Sequence, residues 1–208
     1  MSSRAQETRA HGVVCLLASH PAVRRLKRSS PPSIHGTRQW PSSWFLIDYL
    51  SRHPLPRGSR VIEVGAGWGL AGIYCARSFG ARVTAVDKDP AVFPYLRLHA
   101  DMNGVELLSM RRDFGGLTRG ILGEFDVLLG SDICFWKSLI PEVRNLVLRA
   151  LSAGVRTVIL ADPARHTFET MAAGLVSRGI AELVSWRCRR PLVRRGRILR
   201  ATGVLPPP

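Results

Sequence analysis

The 208-residue sequence predicts an α/β fold: a seven-stranded, mostly parallel sheet with helices on both faces and an antiparallel last strand. Three observations predict it. From Arg60 onward, short β-rich runs alternate with helix-like segments. One run flows straight into the glycine-rich stretch VIEVGAGWGLAG, which reads as strand, tight turn and helix. The last two β-rich runs are joined by a basic stretch with Pro191 and Gly196 but no helical period, so they lack the crossover that parallel neighbours require.

Taken in order, residues 1–19 show no period and are expected to form a disordered tail, with residues 20–208 making one domain. Within it, residues 20–59 form an entry segment with a Ser/Pro hinge at Ser29–Pro32 and an amphipathic helix over Ser43–Arg52. Residues 60–202 form the core. Its expected strands are Arg60–Val64, Arg82–Val86, Leu107–Arg111, Phe125–Leu129, Thr157–Ala161, Ile180–Trp186 and Arg197–Thr202. Helices are expected over Leu70–Phe79, Pro90–Met102, Leu117–Leu122, Ser138–Leu151 and Thr167–Arg178. Asp89 followed by Pro90 supplies a cap and a first-turn proline for the second of these.

Composition narrows the function classes. Hydrophobic residues make up 46% and charged residues 22%, and no apolar run is long enough to cross a bilayer, so an integral membrane protein is not expected. Arg4 and Arg9 precede the short apolar stretch Gly12–Ala18, but Glu7 intrudes and no export signal is read. Cys15, Cys75, Cys134 and Cys188 are dispersed, which fits a reduced, cytoplasmic chain. No Cys/His spacing or acidic cluster suits a metal, and none is expected. The formal charge is +15, yet only three of the 30 basic residues are lysines, a skew that coding bias can produce. The clustering of Arg187, Arg189, Arg190, Arg194, Arg195, Arg197 and Arg200, with no acid after Glu182, is therefore more informative than the total.

The chemistry concentrates at strand ends. Gly65, Gly67 and Gly69 follow Glu63 in the order acid-x-Gly-x-Gly-x-Gly, where missing Cβ atoms permit a tight turn and let a ligand touch the backbone. A dinucleotide fingerprint would want its third glycine at position 70, which is Leu70. The next strand ends in Asp87, placed to accept hydrogen bonds from two ribose hydroxyls. The fourth strand runs out through Ser131 and Asp132 to Phe135 and Trp136 in FDVLLGSDICFW.

The acid-and-glycine motif resembles motif I of class I methyltransferases that use S-adenosyl-L-methionine. This resemblance implies a Rossmann-like core and assigns Glu63, Gly65, Gly67, Gly69 and Asp87 to cofactor binding. It adds Asp113 and Phe114 at the adenine, with Ser131 and Trp40 beside the cofactor. Asp132-Ile133-Cys134-Phe135 lacks the prolines of the base methyltransferases. It resembles the D-x-x-Tyr element of the protein-lysine and N-terminal methyltransferase branch, whose members often carry a nicotinamide N-methyltransferase label. Phe135 stands where that branch usually has Tyr. PSIHGTRQWPSSWFLIDYL resembles the branch's entry segment, and ADPARHTF its A/G-D-P-G-R loop with Ala164 replacing glycine.

The chain is accordingly expected to be an N-methyltransferase, with Asp132 orienting the amine and taking up charge as its proton leaves, while Phe135 and Trp136 exclude water. The acceptor is expected in a protein. An RNA or small-molecule acceptor, or a catalytically silent cofactor-binding module with a basic surface, stays open. Nucleic acid would engage Arg187–Arg200 but is not favoured, and the oligomeric state is not legible. Bulky side chains at Gly65 or Gly67 are both expected to abolish cofactor binding while sparing the fold.

Overall fold

The computed structural model describes residues 6–33 and 35–203. The expected disordered tail is corrected from Glu7 onward, because strands β1 (Glu7–Ala10) and β2 (Val13–Leu16) form an antiparallel hairpin; residues 1–5 lie outside the described residues. His11 and Gly12 take φ of 51° and 77°, the left-handed pair that matches a two-residue turn to strand twist. Val13, Cys15 and Leu16 are buried in the main core. The free edge of β2 is satisfied by side chains distant in sequence: Asn103 Oδ1 accepts from the Val14 amide at 2.8 Å, and His99 Nε2 from the Leu16 amide at 3.2 Å. Helix α1 (Pro21–Ser29) was not expected either. His20 caps it and Pro21 opens it, but only Val23 is buried, so its apolar period is too sparse to read.

Helix α2 (Ser42–Arg52) then leads into the core: β3 (Arg60–Val64), α3 (Leu70–Phe79), β4 (Arg82–Asp87), α4 (Phe93–Met102) and β5 (Leu108–Arg111). Asp89 caps a single 3-10 turn, Pro90–Val92, before α4 begins. The second half runs α5 (Arg119–Leu122), β6 (Val127–Ser131), α6 (Leu139–Ser152), β7 (Thr157–Asp162), α7 (His166–Val176), β8 (Ala181–Cys188) and β9 (Arg194–Thr202). All seven expected core strands are present, displaced by at most a few residues.

The sheet order is β5-β4-β3-β6-β7-β9-β8. β3, β4, β5, β6 and β7 pair in parallel, whereas β9 runs antiparallel to both β7 and β8. Parallel strands are covered on both faces, which is why VIEV, VTAV and VLLG are nearly continuous apolar runs. One face packs on Trp44, Phe45 and Ile73 from α2 and α3, the other on Val143, Leu146 and Phe168 from α6 and α7. Each such side chain contributes about 1.5–3 kcal/mol by leaving water. β3 has β4 on one side and β6 on the other, so the connections diverge at its C-terminal end and leave a crevice there.

Candidate active site

A cavity of about 570 Å³ opens at that crevice. Of the sequence-predicted site residues, Trp40, Gly65, Gly67, Asp87, Asp113, Phe114, Ser131, Asp132, Phe135 and Trp136 line it together. Glu63 and Gly69 do not. Among the described residues, no group of three or more His, Cys, Asp or Glu is placed to hold a metal ion.

The glycine loop is built from left-handed residues, with φ of 60°, 54° and 72° at Gly65, Gly67 and Gly69. Their surroundings separate their roles. A Cβ at Gly67 would meet nothing within 4 Å, so this position presents bare backbone to the cavity. A Cβ at Gly65 would strike Ile133 Cγ2 at 2.6 Å, and one at Gly69 would strike Leu96 Cδ1 at 2.8 Å. Gly65 and Gly69 are thus demanded by packing, and Gly69 serves as the cap residue of α3. The expectation that Gly65 and Gly67 are equivalent is corrected.

Glu63 does not line the cavity. It is buried, and its Oε2 accepts from the Gly72 amide at 2.9 Å in the first turn of α3. Burial pushes its carboxyl up to about 7 against the opposing amides of Gly72 and Ala71. Glu63, which the resemblance assigned to the cofactor, thus stands off the cavity lining, and its carboxylate ties strand β3 to helix α3.

Asp87 ends β4 and does face the cavity. Its Oδ2 accepts from the Gly67 amide at 3.0 Å and its Oδ1 from the Asp89 amide at 3.0 Å, so the glycine loop is held open by the same carboxylate that lines the cavity. Burial raises its pKa, and these two amides pull it back. Each oxygen retains acceptor capacity for a hydroxyl. Asp113 and Phe114 follow β5, and Asp113 Oδ1 accepts from the Gly116 amide at 2.7 Å, which closes the turn that presents Phe114.

The opposite wall comes from β6 and the entry segment. Asp132 has φ of 58°, an uncommon conformation for a residue with a side chain. Its Oδ2 accepts from the Ser42 amide at 3.3 Å, its Oδ1 accepts from Arg165 Nη1, and the Ser131 and Ser43 hydroxyls meet at 3.1 Å. Arg165 also donates to Asp162 Oδ2 at 2.9 Å, so one guanidinium bridges the exits of β6 and β7. Burial is the main cause raising Asp162 to about 6, with Arg165 opposing it and Asp132 reinforcing it.

Aromatic rings form the mouth. His35 lies 4.3 Å from Phe135 and 5.2 Å from Trp136 between ring centroids, Phe135 and Trp136 are 4.8 Å apart, and Trp40 donates to the His35 carbonyl at 2.8 Å. Trp136 is 47% exposed, which places it at the rim. His35 is held below its ordinary pKa by burial and by Lys88, Arg165 and Arg38, so the ring is neutral near pH 7. Sequence reasoning missed Trp68, which stacks on Tyr95 and His99 and donates to the Gly36 carbonyl at 3.0 Å, pinning the entry segment over the glycine loop. Its position inside the glycine motif was the available signal.

Comparison with known proteins agrees with this geometry. A family model described as lysine methyltransferase matches residues 28–173. The calmodulin-lysine N-methyltransferase of Arabidopsis thaliana is 29% identical over 55% of this chain and 40% of its own length. The protein N-lysine methyltransferase METTL21A of Danio rerio is 34% identical over 53% of this chain and 52% of its own. The chain spans about half the length of the curated relatives it matches. Among solved structures, a human methyltransferase 10 domain containing protein superposes with a TM-score of 0.58 at 12% identity, covering 87% of this chain and 94% of that one. A Pyrococcus abyssi tRNA (uracil-54, C5)-methyltransferase in complex with S-adenosyl-L-homocysteine gives 0.55 at 18%, over 76% of this chain and 37% of its own. At such identities these structures speak for the fold alone.

Proposed function

The chain belongs to the lysine methyltransferase family, and from that premise we propose that it transfers a methyl group from S-adenosyl-L-methionine to a nitrogen of a protein side chain, a lysine amine first of all. One observation carries the reading. Gly67 and Asp87 present bare backbone and a hydrogen-bonded carboxylate on one side of a single cavity, and Phe135 and Trp136 present an aromatic wall on the other. The residues present fit the cofactor, because the face left bare at Gly67 is one that a Cβ would fill. Asp87 would take the ribose, Asp113 and Phe114 the adenine, and Ser131 and Trp40 the remaining edge.

When bound, the cofactor supplies a methyl group on a sulfonium, whose sulfur leaves as a neutral thioether. Catalysis by the chain is then placement. A lysine amine, with an unperturbed pKa of about 10.4, must lose its proton before its lone pair can attack. The proton goes to solvent as the amine enters: the ring faces first attract the ammonium at the mouth by cation–π interaction of about 0.5–2 kcal/mol, and the water-poor wall of Phe135 and Trp136 then favours the neutral amine. Asp132 already has its charge met by Arg165, so it serves better to orient the amine than to remove its proton. The dispersed cysteines suit a cytoplasmic setting, and no described helix is long and apolar enough to cross a membrane.

The test uses a labelled methyl donor with fractionated cell extract, treated in parallel with protease or nuclease. Label lost on protease treatment supports the reading. Label lost only with nuclease assigns the acceptor to nucleic acid, and no label beside intact S-adenosyl-L-homocysteine binding by calorimetry indicates a silent binding module.

A further inference from the structure

The hairpin that closes the sheet projects past the cavity floor on its β7 side. Asp162, at the exit of β7, is in register with Arg197 of β9, and Ser131 with Ala161 one position earlier. Arg194 therefore stands three residues beyond the strand exits, roughly 10 Å further out. β9 is two strand spacings from β6, again roughly 10 Å sideways from Asp132. The projection is held rigidly: Cys188 Sγ lies 3.7 Å from the Trp44 carbonyl, and Gly196 fits against Phe45 so closely that a Cβ would sit 2.6 Å from its ring.

This ledge has a definite chemistry. Arg187, Arg189, Arg190, Arg194 and Arg195 are exposed, and among the described residues none has a carboxylate partner, whereas Arg197 and Arg200 lower on β9 pair with Glu169 and Glu182. Between the arginines the turn exposes Leu192 (40%) and Val193 (68%). Unpaired cations around an apolar tip suit an acidic polypeptide. A strand of nucleic acid would want a free aromatic face for its bases, and the hairpin's Trp186 is already engaged by Asp48 at 2.9 Å and by the Arg52 guanidinium at 5.1 Å.

We propose that the β8–β9 turn is a docking ledge that selects a methyl acceptor with acidic residues beside its target lysine. The proposal rests on the protein-methylation reading above and specifies the substrate class. An extended chain advances roughly 3.3–3.6 Å per residue, so an acid four positions from the lysine covers the diagonal of about 14 Å to the ledge. The long arginine side chains reach back toward acids two or three positions away while the lysine occupies the aromatic mouth. Exposed charges attract over about 8–10 Å at physiological salt, so the ledge acts on acids that come to stand beside it and its pull fades as salt rises.

The test measures binding by anisotropy and, on the same peptide, transfer from a labelled methyl donor. A fluorescent peptide with one Lys and Glu two to four residues to either side is titrated by anisotropy against the full chain, its R189Q/R190Q/R194Q/R195Q variant and an R24Q/R25Q/R28Q variant. The last removes exposed charge from α1, which packs on α4, the helix between β4 and β5, four to five strand spacings or roughly 20 Å across the sheet from β9. Expected is a loss on the order of tenfold in affinity for the ledge variant, vanishing at about 0.5 M salt, with the α1 variant close to the parent. Melting temperature and S-adenosyl-L-homocysteine affinity should be unchanged in both variants. Equal losses in the two variants, no loss in the ledge variant, or tighter parent binding to a uridine oligonucleotide than to the peptide would each overturn the proposal. Since anisotropy needs no transfer, ledge-dependent binding without methylation would sink the enzymatic reading and leave the docking surface standing.

Discussion

Arg165 donates to Asp132 across 33 residues of sequence, and the same guanidinium reaches Asp162 at 2.9 Å. A half-buried cation between two buried acids fixes the exits of β6 and β7, and with them the wall that carries Phe135 and Trp136. Removing one partner of such a cluster leaves uncompensated buried charge. Arg165→Met should destabilise the chain by about 3 kcal/mol near pH 8 and by less near pH 5, where Asp162, raised to about 6, can take up a proton. Asp132→Asn should keep the shape, lower kcat at least tenfold and leave cofactor affinity within a few-fold. Urea melts at the two pH values and single-turnover kinetics check the pair; equal loss of turnover and cofactor affinity in Asp132→Asn would contradict the orienting role.

Gly67 and Gly65 should respond differently to the same substitution. Gly67→Ala places a methyl group in open cavity space at a strained φ of 54°, costing about 1–2 kcal/mol in the backbone and obstructing the face where the cofactor would lie. Calorimetry should show S-adenosyl-L-homocysteine binding lost while the melting transition stays cooperative. Gly65→Ala adds the collision with Ile133, so it should lose stability as well as binding.

Trp136 is the exposed ring of the aromatic mouth. Trp136→Ala should raise KM for a lysine acceptor by roughly two- to thirty-fold, the range that cation–π attraction and water exclusion supply, with cofactor affinity unchanged. Steady-state kinetics with the acceptor varied at saturating cofactor reads this directly.

Much of this site was written in local pattern. The apolar strand runs, the glycine spacing and Asp87 could be read because each depends on neighbours within one strand-turn-helix unit. The N-terminal hairpin could not, because its strands are four residues long and the groups that satisfy β2 lie 83 and 89 residues away at His99 and Asn103. The His11-Gly12 pair between two short β-prone runs was the local sign of it. The reassignment of Glu63 has a similar cause. Sequence places an acid at the strand end, but which way its carboxylate turns is decided by the packing of α3, where Gly72 leaves room for Oε2 at 2.6 Å from the position a Cβ would occupy.

That buried Glu63 should give the protein an unusual pH response. Its carboxyl sits at about 7 in the folded chain against 4.5 when unperturbed, and Asp162 at about 6 against 3.8. Between those values the folded state holds protons that the unfolded state has released, so stability is greatest at the acid end of the window and falls as pH rises through it. Each pKa unit corresponds to about 1.4 kcal/mol, which makes the loss about 3 kcal/mol for either group, as an upper estimate. Glu63→Gln keeps an acceptor for the Gly72 amide and cannot ionise. It should therefore raise the melting temperature at pH 8, change it little at pH 5, and flatten the profile between them. Because Glu63 does not line the cavity, S-adenosyl-L-homocysteine affinity should stay within a few-fold of the parent. A variant that melted with the parent's full pH dependence would place the titrating group elsewhere, and a large loss of cofactor affinity at unchanged stability would give Glu63 the part in cofactor binding that the resemblance implied.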